Sequence, residues 1–551
     1  MKSYTPVILL SALLFSGALQ AQETGRKVAF HGNIQSDVLF PEEDDNIGTG
    51  HYDEWGLTNT YADLGLMSRY VDAGLRFEFT EFPLPGFEPD FKGWGVPNIY
   101  VKGKLKPLDI TVGNFYDQFG SGFIFRTYEE RSLGIDNSLI GARVNVTGVK
   151  GLQLKVLSGM QRRYWDWSAD SWVTGADAEV NIDRYSSAMQ AKNITFSVGG
   201  SYVMKHETDE DIIIPGTNYR LNLPLYVNAF DVRTRFQKGN YSFFAEYAWK
   251  SQDPSFDNDF IYRRGNALML SASYSQRGIS ALVQLKRSEN MSYRSRRSMD
   301  GTSAFINNMP AFAYQHTYAL AALYPYATQA ADGEWAFQGE FSYTFKRHTA
   351  LGGKYGTKLS LNISHIRGLQ KTPVAAEMGS FYGTDGYTTS FFRMGERYYQ
   401  DINVQLEKKI TNAFKLNLMY MNQAYNQTVV EGHGGTVHTN IAIVEGKYRF
   451  NKRFTLRGEL QYLATRQDDG DWAYALFELS VLPYFMFTVS DMWNVGETDL
   501  HYYMGSVTFN YKAHRLMAGY GRTRAGYNCS GGVCRYVPAS RGVQLSYNFT
   551  F

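Results

Sequence analysis

The chain has 551 residues, with 55 basic and 53 acidic side chains and a formal net charge of +2. That balance excludes the one-sign surface a nucleic-acid partner requires, and a mean hydropathy of −0.34 excludes a bundle of membrane helices. The 40 Tyr, 36 Phe and 9 Trp make 15% of the chain aromatic, which suits rings placed at a lipid–water boundary.

The N-terminus reads as an export signal. Lys2 is a short basic start, Val7 to Leu19 form an apolar run with small residues, and Leu19-Gln20-Ala21 offers a cleavage site after Ala21. The run is too short for a spanning helix. Residues 1–21 are therefore expected to be removed, leaving 22–551 as one domain.

From Val28 onward the chain alternates apolar and polar residues. Val28 to Leu39 reads as a strand almost directly after the signal, which leaves no room for the plug domain that precedes the barrel of a TonB-dependent transporter. Val71, Ala73, Leu75, Phe77 and Phe79 alternate with Asp72, Gly74, Arg76 and Glu78. The pattern returns at Ile194–Tyr202, Tyr241–Lys250, Leu268–Tyr274, Trp335–Phe345, Leu359–Ser364, Asp401–Glu407 and Phe454–Tyr462. It closes the chain, where Val543, Leu545, Tyr547, Phe549 and Phe551 alternate with Gln544, Ser546, Asn548 and Thr550. A period of two puts one side of each strand in an apolar medium and the other in a polar one.

The connections also alternate. Tight turns fall at Lys106-Pro107, 149–151, 276–278, 411–413, Asn451-Lys452, Leu482-Pro483 and 512–514. Long ones fall at 40–56, 118–137, 163–177, 206–224, 252–265, 289–333, 367–397, 425–437, 492–499 and 524–540. Short periplasmic turns and long extracellular loops characterise outer-membrane barrels. The expected fold is therefore all-β, a transmembrane antiparallel up-and-down β-barrel of about 24 strands, within roughly 18 to 26. Both termini are expected in the periplasm, with the barrel in the bacterial outer membrane. A soluble sandwich or β-helix does not account for this alternation.

Parity assigns Asp72, Arg76, Glu78, Arg143, Lys155, Asp231, Arg233, Arg235, Glu246, Lys250, Glu445, Lys447, Arg449, Arg457 and Glu459 to the lumen. Their mixed signs fit a hydrated wall of ion pairs better than an ion-selective pore. The segment 289–333 is long for a loop without a role. If it folds inward, Arg294, Arg296 and Arg297 are candidates for a pore constriction that binds anionic groups, and its Tyr and Phe rings for stacking on solutes or partners. The bland alternative is a loop that only caps the barrel.

Cys529 and Cys534 are the only cysteines. In an exported chain they read as a disulfide that stiffens a loop. Acidic runs at Glu42–Asp45, Glu207–Asp211 and Asp468–Asp471 read as solvated surface rather than calcium sites. His433 and His438 share one Gly-rich loop, which is weak grounds for a metal. No Gly-x-Ser-x-Gly, His-Glu-x-x-His or P-loop pattern occurs, so neither enzyme chemistry nor a cofactor or metal is expected.

His31 to Leu39, Gly352 to Leu359 and Tyr547-Asn-Phe-Thr-Phe551 together resemble the large, poorly characterised, porin-like β-barrel proteins of the Bacteroidota outer membrane. The resemblance implies a fold and a compartment, not a substrate. The terminal Tyr547, Phe549 and Phe551 resemble the signal read by the barrel-assembly machinery. Outer-membrane lipid and that machinery are the partners expected, with surface or periplasmic proteins as further candidates. Three functions follow: a passive channel for small polar solutes, a structural barrel that anchors a partner complex, or an outer-membrane hydrolase.

Overall fold

A computed structural model describes residues 28–165, 170–375, 380–530 and 533–551. The expected signal, residues 1–21, lies outside the described residues.

Among the described residues, 24 strands form one antiparallel sheet. The sheet closes on itself, because the first strand, Val28–Pro41, pairs with both the second, Leu57–Ser68, and the last, Ser540–Thr550. Closure leaves no edge strand with unpaired backbone groups. Phe551 completes the seam: its N–H donates to the Gly32 carbonyl and Gly32 N–H donates to its own, each at 3.0 Å. Gly32 has no side chain on the outer face, and the Phe551 ring fills that place; a β-carbon there would stand 2.5 Å from the ring.

All the expected tight turns join neighbouring strands, and two longer connections, 182–193 and 346–356, lie on the same side. The opposite side carries the long connections. One of these, 81–92, is not among the expected loops, and 465–471 is expected only through its acidic run Asp468–Asp471. Two expected loops are largely strand instead. Thr357–Pro373 and Tyr387–Lys409 pair far into 367–397, through bulges near Arg367 and Leu369, and Ser171–Asn181 begins within 163–177. Polar and aromatic residues there hid the period of two.

The alternation is realised as sidedness. Val404, Leu460, Leu270 and Val283 are exposed on the outer face, while Asp401, Asn403, Glu459 and Glu246 are buried on the inner one. The outer face is a wide apolar and aromatic surface, including Phe341, Phe477, Phe487, Tyr448 and Tyr462. A barrel of this strand number is too wide for wall side chains alone to fill.

Candidate functional site

The lumen has two unlike halves. Towards the short turns, the inner wall carries opposite charges in pairs, some along one strand, some between strands, and two with Asp117 at the start of the connection 116–138. Arg233 holds Asp177 at 2.6 Å and Asp231 at 3.0 Å. Arg457 lies 3.2 Å from Glu445 and also pairs with Glu459. Lys104 holds Asp72 at 2.7 Å, Lys155 holds Asp117 at 2.6 Å, and Arg143 holds Asp117 at 3.1 Å. The guanidinium of Arg235 lies over the Phe244 ring. Register contributes to these pairs: Arg457 stands opposite Glu478 on one neighbouring strand and beside the Glu445–Glu459 rung formed with the other, so three carboxylates surround it.

Towards the long loops, the wall turns apolar and two connections fold inside against it. The first is 116–138. Phe119, Phe123, Ile124 and Phe125 are fully buried against Leu139, Leu157, Val173 and Val203. Its far part is pinned by charge. Arg76, on the wall, contacts Glu129 at 2.9 Å, Asp136 at 3.2 Å, Asp63 at 2.9 Å and Glu78 at 3.3 Å. Arg162 holds Asp136 at 2.8 Å, and Arg131 holds Asp63 at 2.7 Å. Burial works against ionisation of Asp136, but Arg162 and Arg76 more than offset it and hold the carboxyl below the usual range.

The second is the connection 290–333. Lys286 and Glu334, fully buried at its two feet, are 2.7 Å apart. Met291, Tyr293, Ile306 and Met309 join the same apolar cluster as Phe119–Phe125. Phe312, Leu320, Leu323, Tyr324 and Tyr326 pack on Met421, Tyr425, Ile441, Leu463 and Trp472 of the opposite wall. Polar wall groups fasten its backbone: Gln461 accepts from Leu320 N–H at 2.8 Å and Gln423 donates to Tyr324 O at 3.0 Å. The two inserted segments also bond to each other, from Arg126 N–H to Ile306 O at 2.8 Å and from Asn307 Nδ2 to Phe123 O at 2.8 Å.

Above them lies a hairpin, Gly526–Ser530 with Val533–Val537, in which Cys529 and Cys534 are joined by a disulfide. Arg535 donates to Ser132 O at 2.9 Å and stacks 3.7 Å over Phe87, so the hairpin rests on two other loops.

The residues singled out from sequence divide accordingly. Asp72, Arg76, Glu78, Arg233, Arg235, Glu246, Arg457 and Glu459 share the inner face, mostly in ion pairs. The guanidinia of Arg294 and Arg297 differ from the expectation of an anion-binding constriction. Arg294 is buried against Asp257 at 2.7 Å and donates to loop carbonyls; Arg297 is buried against Glu207 at 3.1 Å. They fasten the segment and are not presented to a solute. Arg296 is half-buried beside them. The acidic runs are likewise engaged: Asp44 by Arg522, Asp209 and Asp211 by Arg220, and Asp468 by the Tyr324 hydroxyl. Among the described residues, no group of three or more His, Cys, Asp or Glu side chains could hold a metal ion. Tyr547, Phe549 and Phe551 lie on the outer face, where Phe549 stacks on His514 at 4.3 Å and on Phe551 at 5.4 Å.

Sequence reasoning missed the insertion of 116–138 and the apolar upper wall. A signal for the latter exists in Thr436–Arg449. Val437, Thr439, Ile441 and Ile443 point inward and are buried, followed on the same face by Glu445, Lys447 and Arg449. The other face reverses, from His438 and Asn440 to Ala442 and Val444. The strand is apolar inside at one end and apolar outside at the other, as it must be where it leaves an apolar medium and surrounds a packed core.

No curated protein matches the chain. Among solved structures, a variant of the ferric enterobactin receptor PfeA from Pseudomonas aeruginosa in complex with enterobactin is 11% identical, with a TM-score of 0.44 over 96% of this chain and 82% of that one. The P pilus usher PapC translocation pore is 10% identical, with a TM-score of 0.43 over 95% and 99%. OccAB4 of Acinetobacter baumannii is 9% identical, with a TM-score of 0.34 over 96% and 98%. These are weak likenesses. Over residues 1–551 the sequence matches DUF6029, a family of unknown function, and the chain belongs to that family.

Proposed function

We propose that the protein is a porin-like channel of the bacterial outer membrane, of the Bacteroidota type, for small polar solutes, and not an enzyme. Its apolar outer face sits in lipid, the short turns and both termini face the periplasm, and the long loops face outward. Tyr547, Phe549 and Phe551 present the outer edge read by the assembly machinery. The observation that carries the reading is the division of the lumen: a charge-balanced wall in the periplasmic half, beneath a constriction built by 290–333 and 116–138. Balanced ion pairs on the wall keep that half wet without strong preference for either sign.

The test is single-channel conductance of the folded protein in a planar bilayer, beside a variant in which 291–331 is replaced by a short Gly/Ser linker. Steady conductance that rises in the variant supports the channel and makes the segment its constriction. Current only in the variant means a barrel closed at rest.

A second reading is favoured by the dense apolar packing of both inserted segments: a closed barrel that anchors a surface or periplasmic partner. Silence of both proteins, with a stoichiometric partner retained in mild detergent, supports that reading.

A further inference from the structure

Between the first strands and the inserted segment 116–138 lies a cavity of about 550 Å³, bordered by His31, Asn33, Asn98, Tyr100, Thr111 and Thr550 among others. It lies towards the short-turn side, next to the turns 69–70 and 106–107. Five charged residues also border it, and each is already matched. Asp63 and Arg76 pair with each other, Asp72 with Lys104, Lys102 with Asp109 at 3.2 Å, and Arg143 with Asp117. No formal charge of these five is left over for a ligand.

The groups left over are of another kind. Among the described residues, neither His31 nor Tyr100 has a side-chain partner. The two rings lie against glycines of the neighbouring strands, His31 over Gly65 and Tyr100 over Gly74, where a β-carbon would stand 2.5 Å from the Tyr100 ring. Asn98 holds its amide towards the Tyr116 hydroxyl at 3.5 Å, and Asn33 accepts from the Thr550 hydroxyl at 3.2 Å. The site therefore offers flat rings beside amide and hydroxyl groups, with its charges internally compensated.

That combination fits a neutral sugar. A pyranose has an apolar C–H face that lies on an aromatic ring and a rim of hydroxyls that both donate and accept, as amides and hydroxyls do. An ionic solute would need an unpaired countercharge, because taking an ion partly out of water without one is costly. We infer that this cavity is a binding site for one or two units of an uncharged oligosaccharide, with Tyr100 as the stacking platform and His31, Asn33 and Asn98 bonding the hydroxyls. The inference deepens the channel reading by naming a solute class, and it rests on that reading only for what the site is for.

The test is isothermal titration of the full folded chain in detergent with maltotriose, cellotriose and raffinose, and with trigalacturonate as the charged control. At least one neutral sugar is expected to bind at about millimolar concentration, and trigalacturonate at least roughly tenfold more weakly. Tyr100→Leu keeps a side chain over Gly74 but removes the π-face, and should weaken binding by roughly fivefold or more, while Tyr100→Phe retains most of it. His31→Ala, which removes a wall ring without touching an ion pair, should also weaken binding. Binding by none of the neutral sugars, equal binding of trigalacturonate, or indifference to both Tyr100→Leu and His31→Ala overturns the site. Titration in detergent does not require conduction. Conductance without sugar binding sinks this inference alone, whereas sugar binding by a silent barrel sinks the channel and leaves the site.

Discussion

His316 Nε2, on the inserted segment, lies 2.6 Å from Asp401 Oδ2 on the barrel wall, and both side chains are almost wholly buried. Asp401 is one member of the polar inner row of Tyr387–Lys409, where Asn403 also donates to it at 3.0 Å. A loop residue is thus seated on a wall residue whose remaining oxygen is taken by its own strand. Asp401→Ala should leave a buried imidazole without its partner, which costs about 1–3 kcal/mol. The barrel, held by its ladders, should survive. The segment 290–333 should become cleavable by added protease in the folded protein, and in a bilayer the variant should show larger or more frequent current steps. Unchanged protease resistance would mean that the apolar contacts of Phe312, Leu320 and Tyr324 suffice.

The sidedness of the wall predicts an asymmetry between adjacent residues. Leu270 is exposed on the outer face, whereas Ser271 accepts from Gln284 at 3.2 Å on the inner one. Leu270→Arg should destabilise the barrel by about 2–4 kcal/mol if it lies mid-bilayer, and Ser271→Arg by clearly less, because the lumen is polar there. Denaturant unfolding in lipid vesicles measures both. Equal losses would contradict the assignment of faces.

Acid should loosen the inserted segment 116–138 before the barrel. Asp136 is held below the usual carboxylate range when folded, after burial is offset by Arg162 and Arg76. A group with a depressed folded pKa contributes stability above its unfolded value and loses it as pH falls through the folded one. The contribution should therefore be level above a pH of about 5 and decline progressively below about 4. Proteolysis of 116–138 with an acid protease, compared across that range, should show the decline. Asp136→Asn should cost about 1–3 kcal/mol at neutral pH, because Arg162 loses its nearer carboxylate and keeps Glu78 while Arg76 keeps Asp63, Glu78 and Glu129, and should flatten the acid response.

Much of this architecture is legible along the chain because a strand between two media must alternate, and Asp401 to Glu407 or Leu359 to Ser364 alternate without a break. Turns such as Lys106-Pro107 and Leu482-Pro483 mark their own positions. The inserted segments are different. Phe119, Phe123 and Phe125 do not repeat at a fixed spacing, and nothing local distinguishes a loop that turns inward from one that caps the mouth. Their destination is written on the wall instead, in Val437, Ile441 and Ile443, whose inward parity is recognised only once Glu445 and Lys447 fix which face is the lumen. Likewise Arg294 and Arg297 look like solute contacts because their partners, Asp257 and Glu207, are remote in sequence.

The C-terminal residue closes the seam, and the proposed assembly signal would give it a second role. Phe551 bonds both ways to Gly32, lays its ring over that glycine and stacks on Phe549. Deleting Phe551 removes two backbone bonds of the seam and uncovers the Gly32 backbone; each lost bond is worth about 0.5–1.5 kcal/mol, little against a 24-stranded ladder. Purified and refolded, the truncated chain should therefore unfold at nearly the same denaturant concentration as the intact one. In the cell, an edge read by the assembly machinery through its terminal ring should fail, with folded barrel in the outer membrane falling several-fold and the chain accumulating or being degraded in the periplasm. Comparing membrane abundance with refolded stability separates the two roles: loss of both would make Phe551 a structural residue of the seam, and loss of neither would remove it from assembly as well.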